Sequence, residues 1–248
     1  MRTLVAAAPF CGAFGWGLAA GAYEVFPYEL IRGAKNAIDG DDGTRDPAAY
    51  LDNPLAPEVG ASDPQWGTRA DNVVIGDSLV AQARIEEMFP GASIANRGVG
   101  GDTIQGAIDR LPGILELQPK RALIFTGHND ILFRNPTGAI VARFGTLVAR
   151  LKEAGVAPVI QSVLICGDIP TCDDDKRQNA VTLNARLEEL AQNENIPFVD
   201  LNATMAGDDG LKPEMTWDGL HLNAAGNRAW RDLAAPYVLE RSAAGGGS

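Results

Sequence analysis

From about residue 71 onward, short apolar runs alternate with longer stretches in which apolar residues recur at helical spacing. The short runs predict strands at 73–75, 93–95, 122–125, 158–164 and 197–201. The longer stretches predict helices at 80–88, 104–111, 139–154, 176–193 and Ala224–Leu239. Because strand–helix alternation is typical of parallel sheets covered on both faces, we expect a three-layer α/β/α sandwich with a flavodoxin-like, five-stranded parallel sheet.

The pattern before residue 71 is different. After Arg2, residues 3–23 carry no charge, and a span of about 20 apolar residues suffices for a membrane helix. Aromatic residues follow at Tyr23, Phe26 and Tyr28, as at a membrane interface. Ala20–Gly21–Ala22 resembles a signal-peptidase site, so cleavage is the alternative. We expect residues 1–36 to form a retained transmembrane anchor with its interface segment.

Small residues at Ala13, Gly17 and Gly21 fall at four-residue spacing along this helix. Such spacing would allow a membrane-protein partner to approach closely, but a Gly/Ala-rich anchor without a partner is the favoured interpretation. Residues 37–70 are acidic and contain Pro and Gly, which predicts a linker or long loop. A folded domain is then expected at 71–240, and the tail at 241–248 is typical of an added glycine-rich linker.

The net charge of −11 argues against nucleic acid as a partner, since phosphate-binding proteins need a basic face. Cys166 and Cys172 bracket a loop-like segment and would pair in an oxidising compartment; two free thiols are the alternative. We therefore expect an exported domain on a membrane tether, in the bacterial periplasm or at the cell surface, or a secreted domain if the N-terminal segment is cleaved.

Polar motifs follow three of the predicted strands. Ser78 stands in Gly76–Asp77–Ser78–Leu79 after the first strand, Gly101 follows the second, and Asn129 follows the third. Since the carboxyl ends of parallel strands meet at one edge of a sheet, these residues should converge there.

A serine hydroxyl becomes a good nucleophile only when a base removes its proton. The chain has two histidines, and His221 lies three residues after Asp218, whose carboxylate can orient an imidazole. His128 has only Asp130 near it in sequence. No group of His, Cys or carboxylate residues has the spacing of a metal site, so we expect neither a metal nor a cofactor.

The four motifs together resemble the SGNH/GDSL hydrolases over roughly residues 72 to 235. They stand here as Gly76–Asp77–Ser78–Leu79, Gly98–Val99–Gly100–Gly101–Asp102, Gly127–His128–Asn129–Asp130 and Asp218–Gly219–Leu220–His221. The resemblance implies that Ser78 is the nucleophile, His221 the base and Asp218 the residue that orients it. It also implies an oxyanion hole formed by the backbone N–H groups of Ser78 and Gly101 and the side chain of Asn129.

The expected function is hydrolysis of a small-molecule carboxylic ester, a short acyl or acetyl ester of a sugar, lipid or other small molecule. Acyl transfer, thioester hydrolysis and lysophospholipid hydrolysis through the same site are alternatives. An accessory subunit of a membrane complex with a dispensable site is a further one. Trp217, beside Asp218, either lines an acyl or sugar site or packs on the final helix.

Overall fold

The structure, a computed structural model, describes residues 69–239. The expected anchor at 1–36, nearly all of the linker at 37–70, the tail at 241–248 and the small residues at Ala13, Gly17 and Gly21 lie outside this range. Within it, no helix combines the length and the apolar character needed to cross a membrane.

Five parallel strands form the main sheet, in the order β2-β1-β3-β4-β5. Their bounds are β1 Asn72–Gly76, β2 Ile94–Gly98, β3 Arg121–Phe125, β4 Ala157–Gln161 and β5 Phe198–Val199. A small antiparallel pair, β6 Ala206–Gly207 and β7 Gly210–Leu211, lies apart from this sheet. The predicted flavodoxin-like parallel α/β sheet is therefore confirmed, and its topological switch point lies between β1 and its two neighbours.

Nine α-helices connect or follow these strands in the described part of the chain. Their bounds are α1 Ser78–Ala81, α2 Ile85–Met88, α3 Ile104–Asp109, α4 Leu111–Leu115, α5 His128–Leu132, α6 Thr137–Glu153, α7 Asp174–Glu194, α8 Asn202–Met205 and α9 Ala224–Leu239. A short 3-10 turn at Pro213–Met215 precedes α9. The bounds of α9 coincide with those predicted.

Two hydrophobic cores flank the main sheet, because successive strand residues point to opposite faces. Val73 and Ile75 of β1 belong to the core under α3, α4, α5, α6 and α7. Val74, between them, belongs to the core under α1, α2, α8 and α9. This alternation produces the three layers and leaves the carboxyl ends of the strands uncovered by helix faces.

The predicted helix at 80–88 is two short helices instead of one. The Asn96 side chain, on β2, donates to the carbonyls of Val80 (2.7 Å) and Ala83 (2.9 Å). These carbonyls would otherwise accept hydrogen bonds inside a continuous helix, so the Asn96 amide ends α1 and the chain restarts at Ile85. The predicted helix at 104–111 likewise divides, because Pro112 has no N–H to continue it.

The predicted strand at 158–164 is shorter than expected, since β4 ends at Gln161. Beyond it, side chains replace a neighbouring strand. Asn184 accepts from the N–H of Val163 and donates to its carbonyl, both at 2.8 Å, and Asn202 also donates to that carbonyl at 2.9 Å. The buried backbone is thus satisfied without a ladder.

The last helix, α9, is fastened to the middle of the sheet by Trp230. This indole is buried, its Nε1 donates to Gln161 Oε1 at 2.5 Å, and its ring lies 4.9 Å from that of Phe125. The loop just before α9, which holds His221, is thereby brought against the carboxyl ends of β3 and β4.

Candidate active site

Ser78 is the first residue of α1, two residues beyond the end of β1. Asp77 caps this helix, since its Oδ1 accepts from the N–H of Leu79 at 3.0 Å. The turn is tight at Gly76, where a Cβ would lie 2.2 Å from the Val80 side chain and 2.3 Å from the Phe125 carbonyl oxygen. Glycine is therefore required there, and the turn holds the half-buried Ser78 at the edge of the sheet.

His221 and Asp218 meet Ser78 from the other end of the described chain. His221 Nε2 lies 2.9 Å from Ser78 Oγ, and His221 Nδ1 lies 2.7 Å from Asp218 Oδ2. These are the contacts of a serine–histidine–carboxylate relay, in which the carboxylate fixes the tautomer and the free imidazole nitrogen faces the hydroxyl. The structure thus brings together the three residues that the sequence singled out.

The Asp218 side chain is held in place by backbone N–H groups of its own loop. Its Oδ1 accepts from the backbone N–H groups of His221 (2.7 Å) and Leu220 (2.9 Å). Partial burial raises the pKa of Asp218, but the hydrogen bonds from the His221 ring and from these two N–H groups outweigh it. The net pKa of Asp218 is therefore below its ordinary value, and the group is ionised at neutral pH.

Thr216 closes this loop, and the sequence analysis did not identify it. Its Oγ1 donates to the carbonyl of His221 at 2.7 Å and accepts from the N–H of Gly219 at 2.9 Å. Gly219 has a φ of +86°, a conformation that favours glycine. The only sequence signal for Thr216 was its position two residues before Asp218.

A second network joins the expected oxyanion-hole residues to the turn that holds Ser78. Asn129, in α5, donates from Nδ2 to the carbonyl of Asp102 at 2.8 Å, and Asp102 follows Gly101 in the turn between β2 and α3. Arg110 donates from Nε to the Asp102 carboxylate at 2.8 Å and from a terminal nitrogen to the Gly76 carbonyl at 3.1 Å. Arg110, another residue that the sequence analysis missed, thus links the Gly101 turn to the strand end beside Ser78.

His128 is not placed to act as the base. Its side chain is buried, and burial lowers the pKa of His128 to about 4, so the ring stays neutral at physiological pH. Only 3% of the surface of His128 is exposed to solvent. Of the two histidines, both within residues 69–239, it is His221 whose ring contacts Ser78. Residues 69–239 contain no cluster of three His, Cys, Asp or Glu side chains grouped as metal ligands.

A known protein family matches the part of the sequence that contains Ser78, Asp218 and His221. The profile of the family described as GDSL-like Lipase/Acylhydrolase matches residues 60–229, which is more than half of the chain. The chain belongs to the GDSL-like lipase/acylhydrolase family.

Solved structures share the fold of this GDSL-like hydrolase. A GDSL-like lipase from Bacteroides thetaiotaomicron superposes with a TM-score of 0.65 at 23% identity, covering 71% of this chain and 92% of that one. An acetylxylan esterase from Geobacillus stearothermophilus, in a catalytic mutant form, gives a TM-score of 0.56 at 18% identity and covers 70% and 95%.

Curated relatives match a smaller share of their own length. N-acylneuraminate cytidylyltransferases of Streptococcus agalactiae are 25% identical over 165 residues, which is 65% of this chain and 37% of theirs. The chain therefore spans just over a third of the length of these relatives.

Replacing Asn129 by alanine is expected to lower kcat of the hydrolase by about 10²- to 10³-fold with little change in KM, because an oxyanion donor acts mainly in the transition state. Steady-state kinetics on a soluble acetate ester measure the effect. Asn135→Ala is the matched control from the same region, since its side chain contacts Asp130 at 3.2 Å and not the Gly101 turn. An Asn129→Ala enzyme with unchanged kcat would remove this side chain from the oxyanion hole.

Two buried carboxyl groups lie beneath the site. Burial raises the pKa of Asp77 to about 7, and repulsion from Asp102 and Asp130 adds to the shift, against the hydrogen bond from Leu79. Burial also raises the pKa of Asp130 to about 6, although it accepts a 2.9 Å hydrogen bond from the N–H of Ile104 at the start of α3. Asp77 is therefore mostly a neutral carboxylic acid below about pH 7.

This raised pKa predicts a pH-dependent stability. The folded chain holds the Asp77 proton up to about pH 7, whereas the unfolded chain releases it near the ordinary aspartate pKa of 3.8. The stabilisation is therefore complete below pH 3.8 and is lost as pH rises to about 7. Asp77→Asn keeps an oxygen for the Leu79 N–H and cannot ionise. Its melting temperature relative to the parent should rise by roughly 5–10 °C between pH 5 and pH 8.

Thermal melts at several pH values provide the measurement, with Asp200→Asn as a control. The Asp200 side chain likewise accepts a backbone N–H, that of Asn202, but it is exposed. A difference between Asp77→Asn and the parent that does not vary with pH would contradict a buried, protonated Asp77.

A disulfide joins Cys166 and Cys172, and the loop that it closes contacts the loop that holds Asp218 and His221. The N–H of Gly167 donates to the carbonyl of Gly219 at 2.8 Å. A Cβ on Gly219 would lie 2.3 Å from the Ile169 side chain, so the two loops are in direct contact. The disulfide loop thus supports the segment between Asp218 and His221.

Loss of this disulfide should reduce both stability and activity. A Cys166→Ala/Cys172→Ala variant is expected to lose about 2 kcal/mol of folding free energy, the value for closing so short a loop. Its kcat should fall several-fold, because the Gly219 carbonyl loses a fixed partner. Chemical denaturation and kinetics measure the two effects. The same losses should appear when a Cys11→Ala variant, which keeps the pair, is treated with dithiothreitol. Unchanged kcat after complete reduction would show that the loop does not support the site.

Proposed function

We propose that the chain hydrolyses a carboxylic ester with a short acyl group through a Ser78–His221–Asp218 triad and an acyl-enzyme intermediate. The observation that carries this proposal is the pair of contacts at 2.9 Å and 2.7 Å that joins the hydroxyl, the imidazole and the carboxylate. Family membership supports ester hydrolysis in general, and the name of the Geobacillus stearothermophilus enzyme suggests an acetyl ester.

In the first step, Ser78 Oγ attacks the ester carbonyl while His221 Nε2 takes its proton. The new C–O bond gives a tetrahedral intermediate whose oxyanion is stabilised by the N–H groups of Ser78 and Gly101 and by Asn129 Nδ2. The imidazolium formed on His221 is balanced by Asp218. His221 then returns the proton to the alkoxide, and the alcohol leaves as the carbonyl reforms.

In the second step, His221 removes a proton from water, which attacks the acyl group on Ser78. Collapse of the second intermediate releases the carboxylic acid and returns the proton to Ser78 Oγ. The lowered pKa of Asp218 matters in both steps, since the carboxylate is already ionised when the imidazolium forms.

A substrate panel tests this proposal. Purified enzyme is assayed on acetylated sugars, acyl thioesters and lysophospholipids, each beside Ser78→Ala. The proposal expects the highest kcat/KM on an acetyl ester and none above background for the variant. Activity confined to thioesters or lysophospholipids would show that the proposed substrate class is wrong. If no compound gave Ser78-dependent activity, the role of an accessory subunit would be favoured.

We also propose that the domain is exported and works in an oxidising compartment, held by the segment at 1–36. The Cys166–Cys172 disulfide supports this location, because such bonds persist outside the cytosol. A fractionation experiment with an alkaline-carbonate wash, followed by a thiol count on the purified protein, tests it.

A further inference from the structure

Trp217 is a large apolar side chain left in solvent beside the triad. The residue is 65% exposed, in contrast to Trp230, which is 1% exposed in the core. The sequence left open whether Trp217 packs on the final helix, and an exposure of this size excludes a core role. Exposing an indole to water is unfavourable, and covering it with a bound substrate would remove this cost.

The indole is fixed against the catalytic base. Its ring lies 5.4 Å from the His221 ring, centroid to centroid, with 17° between the planes. The Trp217 N–H also donates to the His221 carbonyl at 3.2 Å, and Thr216 holds that same carbonyl at 2.7 Å. Trp217 therefore belongs to the rigid loop that positions the triad, and it presents a pre-formed flat surface at the mouth of the site.

Because Trp217 lies next to His221, we can infer which half of the ester its ring contacts. During acyl transfer the imidazole gives its proton to the leaving oxygen, so the alcohol half of the ester must lie against His221. The carbonyl oxygen points instead toward the Gly101 turn and Asn129. A ring stacked on the imidazole consequently contacts the alcohol half rather than the acyl half.

The chemistry of this surface favours a particular alcohol. A flat indole packs best against another flat face, and its N–H can donate to a hydroxyl. A pyranose ring offers both an apolar C–H face and hydroxyl groups.

We propose that Trp217 is the binding platform for the sugar ring of an O-acylated carbohydrate, so that the alcohol half of the substrate is a pyranose. This inference rests on the proposed ester hydrolysis and specifies its substrate. Trp217 selects the alcohol, whereas the acyl group is selected elsewhere in the site.

The test compares two acetyl esters of polyols that differ in having a ring: a peracetylated methyl pyranoside and glycerol triacetate. For Trp217→Ala, the ratio of kcat/KM for the pyranoside to that for the triacetate should fall about tenfold, mainly through KM for the pyranoside. Trp217→Phe keeps an aromatic face and should retain most of the ratio. Val181→Ala, which shortens another exposed apolar side chain, should leave it unchanged.

If removing the indole only disturbs His221, kcat/KM should fall by the same factor for both substrates, and their ratio should not change. If Trp217→Ala leaves the ratio of the two kcat/KM values unchanged, Trp217 does not bind the sugar ring, whether or not both values fall. Binding separates this inference from the proposed function. Calorimetric titration of Ser78→Ala with the pyranoside should give an affinity about tenfold higher than for Ser78→Ala/Trp217→Ala, even if no ester is turned over. Equal affinities would overturn the inference independently of activity.

Discussion

Ser78→Ala is expected to lower kcat on an acetate ester by about 10⁴- to 10⁶-fold, because the variant has no group that can form the acyl-enzyme. The hydroxyl contacts only one catalytic partner in the structure, His221 Nε2 at 2.9 Å, so its removal leaves the fold of the turn intact. The melting temperature should stay within about 2 °C of the parent, since the cap that Asp77 provides does not involve the Ser78 side chain.

Two measurements make this prediction specific. Ser93→Ala removes the hydroxyl of an exposed serine, which accepts from the Asp71 N–H, and should keep full kcat. A fluorophosphonate should form an O–P bond to Ser78 with loss of fluoride, seen by mass spectrometry of the tryptic peptide in the parent and not in Ser78→Ala. Substantial turnover by Ser78→Ala, or labelling at another serine, would place the nucleophile elsewhere.

Asp218→Asn is expected to lower kcat by about 10⁴-fold while the structure is kept. The asparagine oxygen can still accept from the N–H groups of Leu220 and His221, but its NH₂ group then faces His221 Nδ1. Nδ1 must accept instead of donate, so the proton moves to Nε2, which can no longer receive the proton of Ser78. The variant therefore tests tautomer control rather than the presence of a side chain.

The pH dependence and a control complete this experiment. Because the pKa of Asp218 is below its ordinary value, the parent should keep the ionised carboxylate throughout pH 5 to 8, and the loss in Asp218→Asn should be present across that range. Asp232→Asn, on the exposed side of α9, should have no such effect. A defect of less than tenfold would mean that His221 is oriented by its loop alone.

The sequence predicted the sheet because most of its strands are short, apolar runs between polar turns; β2 is the exception, since it contains Asn96 and Arg97. The same patterns placed Ser78, Gly101 and Asn129 after neighbouring strands, and parallel pairing then required them to meet. His221 was selected from two histidines by the Asp218 spacing. These conclusions depend on local signals, which a single sequence carries directly.

Features that depend on distant side chains were not predicted. The interruption between α1 and α2 is caused by Asn96, which comes from a different strand. The support from Arg110 depends on how α3 docks beside the end of β1. The raised pKa of Asp77 results from complete burial between two other acids, and the orientation of Trp217 is set by the Thr216 loop. None of these contacts has a periodicity that a sequence pattern could report.

The fastening of α9 by Trp230 has a consequence for the order in which the protein matures. Ser78 and His221 are separated by 143 positions, so a chain growing from its N-terminus presents the nucleophile long before the base. We expect the contact between Ser78 and His221 to form only when α9 packs on the sheet through Trp230, which contacts Gln161 and Phe125. On the proposed mechanism, a nascent or truncated chain that ends before His221 has no base for Ser78, and we expect it to hydrolyse no ester even if its first four strands fold.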